Sequence, residues 1–114
     1  MSLTRLPNAH CAFVEESKIR EYLLNPDHEQ GGTKAKFFRE RGFLLPDWEA
    51  LSDALKQHGQ ERPVTRVTSD EYGTRYQVDC GMKTPKASEP CVRTVWQLVH
   101  DDDCPRLLTA HPLK

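Results

Sequence analysis

Long apolar runs are missing from this chain. No stretch approaches the ~18 consecutive apolar residues that a membrane-spanning helix needs. The opening segment, Met1-Ser-Leu-Thr-Arg-Leu-Pro-Asn8, contains no apolar core of the kind that a secretory signal peptide carries. We therefore expect a cytoplasmic protein that makes no membrane contact.

An excess of either charge is missing as well. The chain has 16 Lys and Arg against 17 Asp and Glu, a net charge of −1. No overall field attracts nucleic acid, so any such contact must come from a local patch. Neither a Gly-x-Gly-x-x-Gly loop nor the phosphate loop of nucleotide hydrolases occurs. These absences exclude the nucleotide-binding classes that depend on such loops.

Cysteine is sparse. The four residues Cys11, Cys80, Cys91 and Cys104 form no Cys-x-x-Cys pair, so no structural zinc site is predicted. The run Asp101-Asp-Asp103 lacks the alternate spacing and distal glutamate of a calcium loop, and we interpret it as a solvated turn. We expect no metal, no cofactor and four reduced thiols, as is usual in a cytoplasm. Cys80 and Cys91 could face each other across neighbouring strands, but we expect no bond between them.

What is present is a chain of 114 residues, the size of one domain. We predict an N-terminal leader over residues 1–13 and a single domain over residues 14–114. Helix signals fill the first half, with apolar residues three and four positions apart. The predicted helices cover residues 15–24, 33–41 and 46–59, with Thr33 and Gly42 capping the second. Pro46 opens the third helix and Gly59 ends it, so that a charged His58 would suit the dipole at its C-terminus.

From Val64 onward β-branched and aromatic residues replace helix formers. The predicted strands cover residues 64–69, 75–82, 92–98 and 106–111. Helices followed by strands with short links indicate an α+β fold, with three N-terminal helices packed on one face of a four-stranded antiparallel β-meander.

The last two strands sort their side chains onto two unlike faces. In the predicted hairpin Arg93 lies near His111, Val95 near Thr109 and Gln97 near Leu107. The opposite face would be the core and holds Thr94, Trp96, Leu98, Leu108 and Ala110. With the second strand added, the open face carries Arg75, Gln77, Arg93, Gln97, Thr109 and His111. One interpretation is a polar site, and the other is the solvated face that antiparallel sheets often have.

Three segments resemble a family of small uncharacterised bacterial domains. They are Tyr22-Leu-Leu-Asn-Pro-Asp-His28, Gly32-Thr-Lys-Ala-Lys-Phe-Phe38 with Gly42-Phe43, and Val92-Arg-Thr-Val-Trp96 with Pro105-Arg-Leu-Leu-Thr-Ala-His-Pro112. This family in turn resembles the barnase–EndoU–colicin–RelE group of toxin-like ribonucleases. The resemblance implies N-terminal helices against a four-stranded antiparallel sheet and metal-independent action on RNA. The position before the last proline is often aromatic in such sequences, whereas this chain has His111.

Metal-independent RNA cleavage needs a base, an acid and cations around the phosphate. The candidate catalytic residues are His28, Lys34, Arg93, Thr109 and His111. The candidate phosphate-binding residues are Gly31, Gly32, Thr33 and Lys36, at the start of the second helix. Thr94 is an alternative to Thr109 as a hydroxyl donor to the phosphate.

Each candidate also has a structural interpretation. His28 suits a turn, Arg93 could pair with Asp79, and Lys34 and Lys36 lie two apart on a helix, so at most one faces a given site. Two functions therefore stay open. The first is a toxin-like ribonuclease that acts on RNA and has a cognate antitoxin or immunity protein. The second is a non-enzymatic interaction module of a toxin–antitoxin or phage-associated system. An exposed final strand would also permit a dimer.

Overall fold

The computed structural model describes residues 5–25, 32–86, 89–100 and 103–113. Helix α1, Glu16–Lys18, continues as a π-helical turn, Ile19–Leu23, and is followed by α2, Gly32–Glu40, and α3, Trp48–Glu61. Short 3₁₀ turns occupy Ala9–Cys11 and Leu45–Asp47. The strands are β1, Val64–Asp70; β2, Gly73–Gly81; β3, Cys91–Leu98; and β4, Arg106–Pro112. The predicted α+β class and four-stranded antiparallel sheet are confirmed.

The first predicted helix is one α-helical turn followed by a π-helical turn. Ile19 and Leu23 are fully buried, and the N–H of Leu24 donates to the carbonyl of Ile19, five residues back, at 2.8 Å. A π-turn is wider than an α-turn and often lies beside functional sites. Here it carries Tyr22, whose hydroxyl reaches Lys34.

Helix α2 ends as its sequence predicts. Gly42 has φ 98°, its N–H donates to Arg39, and the next N–H, of Phe43, donates to Phe38 at 3.1 Å. This pair of hydrogen bonds is the Schellman arrangement, which requires a residue in the left-handed region. At the other end the helix begins at Gly32, so Thr33 lies inside the first turn rather than before it.

Helix α3 differs from its prediction at both ends. Pro46 belongs to the preceding 3₁₀ turn, and Gly59 lies within the helix, which runs on to Glu61. Gly59 is glycine because of packing. A Cβ atom there would lie 2.7 Å from Cζ2 of Trp96, which is fully buried on β3. Removing the side chain lets the helix approach the indole closely.

The sheet has the order β1-β2-β3-β4, all antiparallel. Two predicted pairs of the terminal hairpin, Arg93 with His111 and Val95 with Thr109, are confirmed. The third is wrong, because a bulge after Val95 shifts the register and pairs Gln97 with Arg106. The bulge also exchanges the core residues: Leu107 is fully buried, and Leu108 is only half-buried.

Beneath the sheet, His58, Thr94 and Trp96 form a buried hydrogen-bonded network. Oγ1 of Thr94 accepts from Nε1 of Trp96 at 2.8 Å and lies 3.0 Å from Nδ1 of His58. Nε2 of His58 is 2.9 Å from the carbonyl oxygen of Cys80, so this nitrogen carries the proton and Nδ1 accepts from Thr94. Burial holds the pKa of His58 below its usual value, against the opposing effect of its backbone hydrogen bonds. The expected charged His58 is therefore wrong.

The expectation of four reduced thiols is also wrong. Cys11 is bonded to Cys104 and Cys80 to Cys91. The first pair is 93 residues apart in sequence, yet the two Cα atoms are 5.2 Å apart, because the N-terminal segment runs back beside the hairpin. The N–H of Phe13 donates to Pro105, and the carbonyl of Phe13 accepts from Leu107. The described part of the expected leader thus contacts the beginning of β4.

Candidate functional site

Three charged or titratable side chains form a row across the sheet. Asp79 on β2 pairs with Arg93 on β3, and Arg93 pairs with His111 on β4. Directly opposed residues of antiparallel strands share a face with their Cβ atoms ~5 Å apart. Trp96, at the opposite parity of β3, is fully buried. The row therefore lies on the face of the sheet opposite to Trp96, which α3 covers.

Arg93 and Asp79 form a bidentate ion pair. Nε of Arg93 donates to Oδ1 and Nη2 donates to Oδ2, both at 3.1 Å. Partial burial opposes ionisation of Asp79, but the hydrogen bonds from Arg93 and Thr65 outweigh it, so the pKa of Asp79 lies below its usual value. The pair holds the guanidinium in one orientation and uses two of its five N–H groups. The structural interpretation of Arg93 is thus observed, and it leaves donors for a phosphate.

A second cluster joins α2 to the same face. Nζ of Lys34 donates to Oγ1 of Thr109 at 3.0 Å and to the hydroxyl of Tyr22 at 2.5 Å. Thr109 precedes His111 by two residues, so the two side chains point the same way ~7 Å apart along β4. Lys34 is half-buried. Its ammonium group therefore lies beside β4, two residues from His111, which is itself paired with Arg93.

Tyr22 is the site residue that sequence reasoning missed. Its spacing from Ile19 and Leu23 predicts a core position, but the π-helical turn moves its hydroxyl to Lys34 and Thr109. Burial raises the pKa of Tyr22, yet the hydrogen bonds and the charges of the nearby lysines outweigh it, so the pKa lies below its usual value. One signal was available: Tyr22 opens the first of the segments that carry the family resemblance.

The pKa of His111 lies below its usual value. Burial and the positive charges of Lys34 and Arg93 lower the pKa of His111, and only Asp79 opposes them. A neutral imidazole beside two cations can accept a proton at neutral pH. The departure from the aromatic residue usual at this position thus places a titratable imidazole in the cluster.

The remaining predicted site residues divide into four groups. His28 and Gly31 lie outside the described residues. Gly32 and Thr33 form the start of α2, directly before Lys34. Lys36 is exposed and does not contact Thr109, but it lines a groove of about 580 Å³ that Lys34 and His111 also line. Thr94 is excluded as a phosphate ligand, because it is fully buried under the sheet.

Over the part of the chain that the structure describes, no cluster of His, Cys, Asp and Glu side chains could hold a metal ion. The described helices include none with the length and apolar character needed to cross a membrane.

The fold and the site define an α+β domain with a cationic, hydrogen-bonding cluster on one side of its sheet. The sequence matches the family described as a domain of unknown function, DUF6883, over residues 5–114. The chain belongs to this family. No curated protein sequence matches it.

Among solved structures, the fold is similar to that of a chain from a contact-dependent growth inhibition toxin–immunity protein complex of Klebsiella pneumoniae 342. The TM-score is 0.71, and the alignment covers 94% of this chain and 97% of that chain. Sequence identity is 14%, so the similarity establishes a shared fold.

Proposed function

We propose that this domain is a toxin-like, metal-independent endoribonuclease. One observation supports it most. Lys34, Arg93 and His111 are far apart in the sequence but lie on one side of the sheet. A solvated sheet face has no need to hold a lysine against a tyrosine and a threonine or to lower the pKa of a histidine between cations. The shared fold with a chain of a toxin–immunity complex supports the toxin-like part.

In the proposed reaction His111 takes the proton of a 2′-hydroxyl, and the oxygen attacks the adjacent phosphorus. Lys34 and the free N–H groups of Arg93 stabilise the doubly charged phosphorane that forms. The P–O5′ bond then breaks, and the leaving oxygen takes a proton from the Tyr22 hydroxyl, which Lys34 polarises. The products are a 2′,3′-cyclic phosphate and a 5′-hydroxyl. His28, the other histidine that the sequence nominates, is the alternative acid.

The start of α2 would hold the substrate backbone. Free N–H groups of a helix's first turn attract phosphate, and Gly32 and Thr33 lie there beside Lys34. Lys36, exposed on the same helix, would contact a neighbouring phosphate. Thr109 would orient Lys34 rather than touch the reacting atoms.

Two further features fit a toxin. The solved neighbour is a chain of a toxin–immunity protein complex, and an immunity protein is the partner we propose here. The two disulfides fit a chain that matures in an oxidising compartment, as an exported toxin would, better than the cytoplasmic location that the sequence suggests.

The test is cleavage of a mixed RNA pool by the purified chain in excess EDTA. Lys34→Met and His111→Gln should each lower the rate by about 100-fold or more, since each removes a cation or base from the transition state. Lys83→Met and His10→Gln, equivalent changes at exposed positions away from the cluster, should leave the rate unchanged. Intact RNA with the unaltered chain would overturn the proposal.

The alternative is a non-enzymatic interaction module. One observation favours it: β1 is an edge strand whose residues Thr65 to Asp70 are all exposed, and Tyr72 beside it is 65% exposed. Such an edge can pair with a strand of a partner. No RNA cleavage and no growth inhibition on expression, together with loss of partner binding when Val67 is replaced by proline, would establish this function instead.

A further inference from the structure

We propose that the groove beside the cluster binds an unpaired nucleobase of the RNA, stacked on the guanidinium of Arg41. The inference rests on the proposed function and extends it to substrate class, since only a single-stranded segment can offer such a base. The groove of about 580 Å³ has the volume of a small-ligand site. It shares Lys34 and His111 with the cluster, so a base in it would belong to a nucleotide beside the cleaved bond.

Arg41 is held over the Phe37 ring before any ligand arrives. Its guanidinium carbon lies 3.9 Å from the centroid of the Phe37 ring, and its Nη1 donates to the carbonyl of Phe37 at 3.3 Å. Phe37 is in turn braced by an edge contact with Phe38, whose ring is fully buried, at 5.2 Å between centroids. One face of the guanidinium is therefore covered by Phe37, and both residues line the groove.

A planar cation held on an aromatic ring offers a stacking surface. Arginine planes and aromatic rings are the two surfaces on which proteins stack unpaired bases. A flexible lysine in the same place would neutralise a phosphate equally well and would stack poorly. The ring contact and the hydrogen bond restrict the rotation of the Arg41 side chain before a ligand binds. This restriction favours a flat ligand over a point charge.

Glu40 favours a base over a second phosphate in the groove. Glu40 lines the groove with Arg41. A carboxylate repels phosphate but accepts hydrogen bonds from the amino groups of base edges. Lys36 on the same lining is then available to the phosphate that follows the base.

The experiment measures binding without cleavage, so that it is independent of catalysis. The probe is a short 2′-O-methyl strand, in which the nucleophilic hydroxyl is blocked, compared by fluorescence anisotropy with an abasic strand of equal length and charge. The unaltered chain should bind the base-bearing strand about 5- to 100-fold more tightly than the abasic strand, the range of one stacked base. Arg41→Lys keeps the charge and should bring that ratio near one. Arg39→Lys, the same change two residues earlier on the exposed side of α2, should leave it unaltered.

Thermal unfolding of each variant checks that it is folded. If Arg41→Lys keeps the ratio of the unaltered chain, or if the two strands bind the unaltered chain equally, the nucleobase site is wrong even when RNA is cleaved. If the strands are distinguished through Arg41 but no RNA is cleaved, the nucleobase site stands and the ribonuclease function fails.

Discussion

Replacing Thr94 and Thr109 in turn by valine separates the two roles that a threonine has on this sheet. The change is chemically identical and nearly isosteric at both positions. Thr94 lies fully buried between His58 and Trp96, whereas Thr109 contacts Lys34 on the opposite side of the sheet. Sequence alone makes both candidates for the phosphate. The structure predicts that one variant loses stability and the other loses activity.

At Thr94 the hydroxyl serves two buried partners. Its removal leaves the N–H of Trp96 and Nδ1 of His58 without hydrogen bonds, and each such group costs about 1–3 kcal/mol. Thr94→Val should therefore lower the free energy of unfolding by about 2–5 kcal/mol. For a domain of this size the melting temperature should fall by about 10–20 °C. Activity per folded molecule, measured well below that temperature, should be unchanged.

At Thr109 the hydroxyl is half-buried, and water can replace it as the acceptor for Lys34. Thr109→Val should lower the free energy of unfolding by about 1 kcal/mol or less. RNA cleavage should fall by about tenfold or more, because Lys34 loses the contact that orients it.

Urea unfolding and cleavage rates, measured on the same preparations, distinguish the structural role of Thr94 from the functional role of Thr109. A Thr94→Val chain as stable as the original would refute the buried network. A stable Thr94→Val chain with low activity would make Thr94 a substrate ligand.

Three further predictions concern the scaffold. Gly59→Ala places a Cβ 2.7 Å from the Trp96 ring, so overpacking of about 1–3 kcal/mol should exceed the ~1 kcal/mol gain in helix propensity. The control is Asp53→Ala, at an exposed position of the same helix. A higher melting temperature for Gly59→Ala than for the original chain would contradict the packing. The pKa of buried His58 is lowered in the folded state. Its contribution to the free energy of unfolding should therefore be fully present above the unfolded pKa of about 6.5 and should be lost as the pH falls below that value. Urea unfolding at pH 7 and pH 5 measures this loss. Equal stability at the two pH values would show that His58 is protonated inside the fold. Paired replacement of Cys11 and Cys104 by serine opens a loop of 93 residues and should lower the free energy of unfolding by about 4.6 kcal/mol. Thiol titration of the unfolded, unreduced original chain should find no free thiol, and four reactive thiols would mean that neither disulfide forms.

The sheet could be predicted from the sequence because its signals are local. Alternation along β3 predicts that Trp96 is buried and Arg93 is not, and the burial pattern agrees. The register of the hairpin is correct up to Val95 and fails after it. A bulge depends on how Leu107 fits the core against elements far away in sequence, and no local pattern encodes that fit.

The site could be predicted only in part, for the same reason. Residue type makes Lys34 and His111 candidate catalytic residues, and the family resemblance includes the segments that contain them. The sequence does not predict Tyr22 as a site residue, because its spacing fits an ordinary α-helix. The residue lies in the π-helical turn, and its hydroxyl contacts Lys34. The Cys11–Cys104 disulfide could not be predicted, because the two cysteines are far apart in the sequence and only the complete fold brings them together.

The most direct test of the central claim is the chemistry of the cleaved ends. RNA treated with the purified chain in excess EDTA should yield fragments ending in a 2′,3′-cyclic phosphate and beginning with a 5′-hydroxyl, identified by mass spectrometry. His111→Gln should yield about 100-fold fewer of them under the same conditions. Fragments with 3′-hydroxyl and 5′-phosphate ends, or RNA that stays intact, would contradict the account.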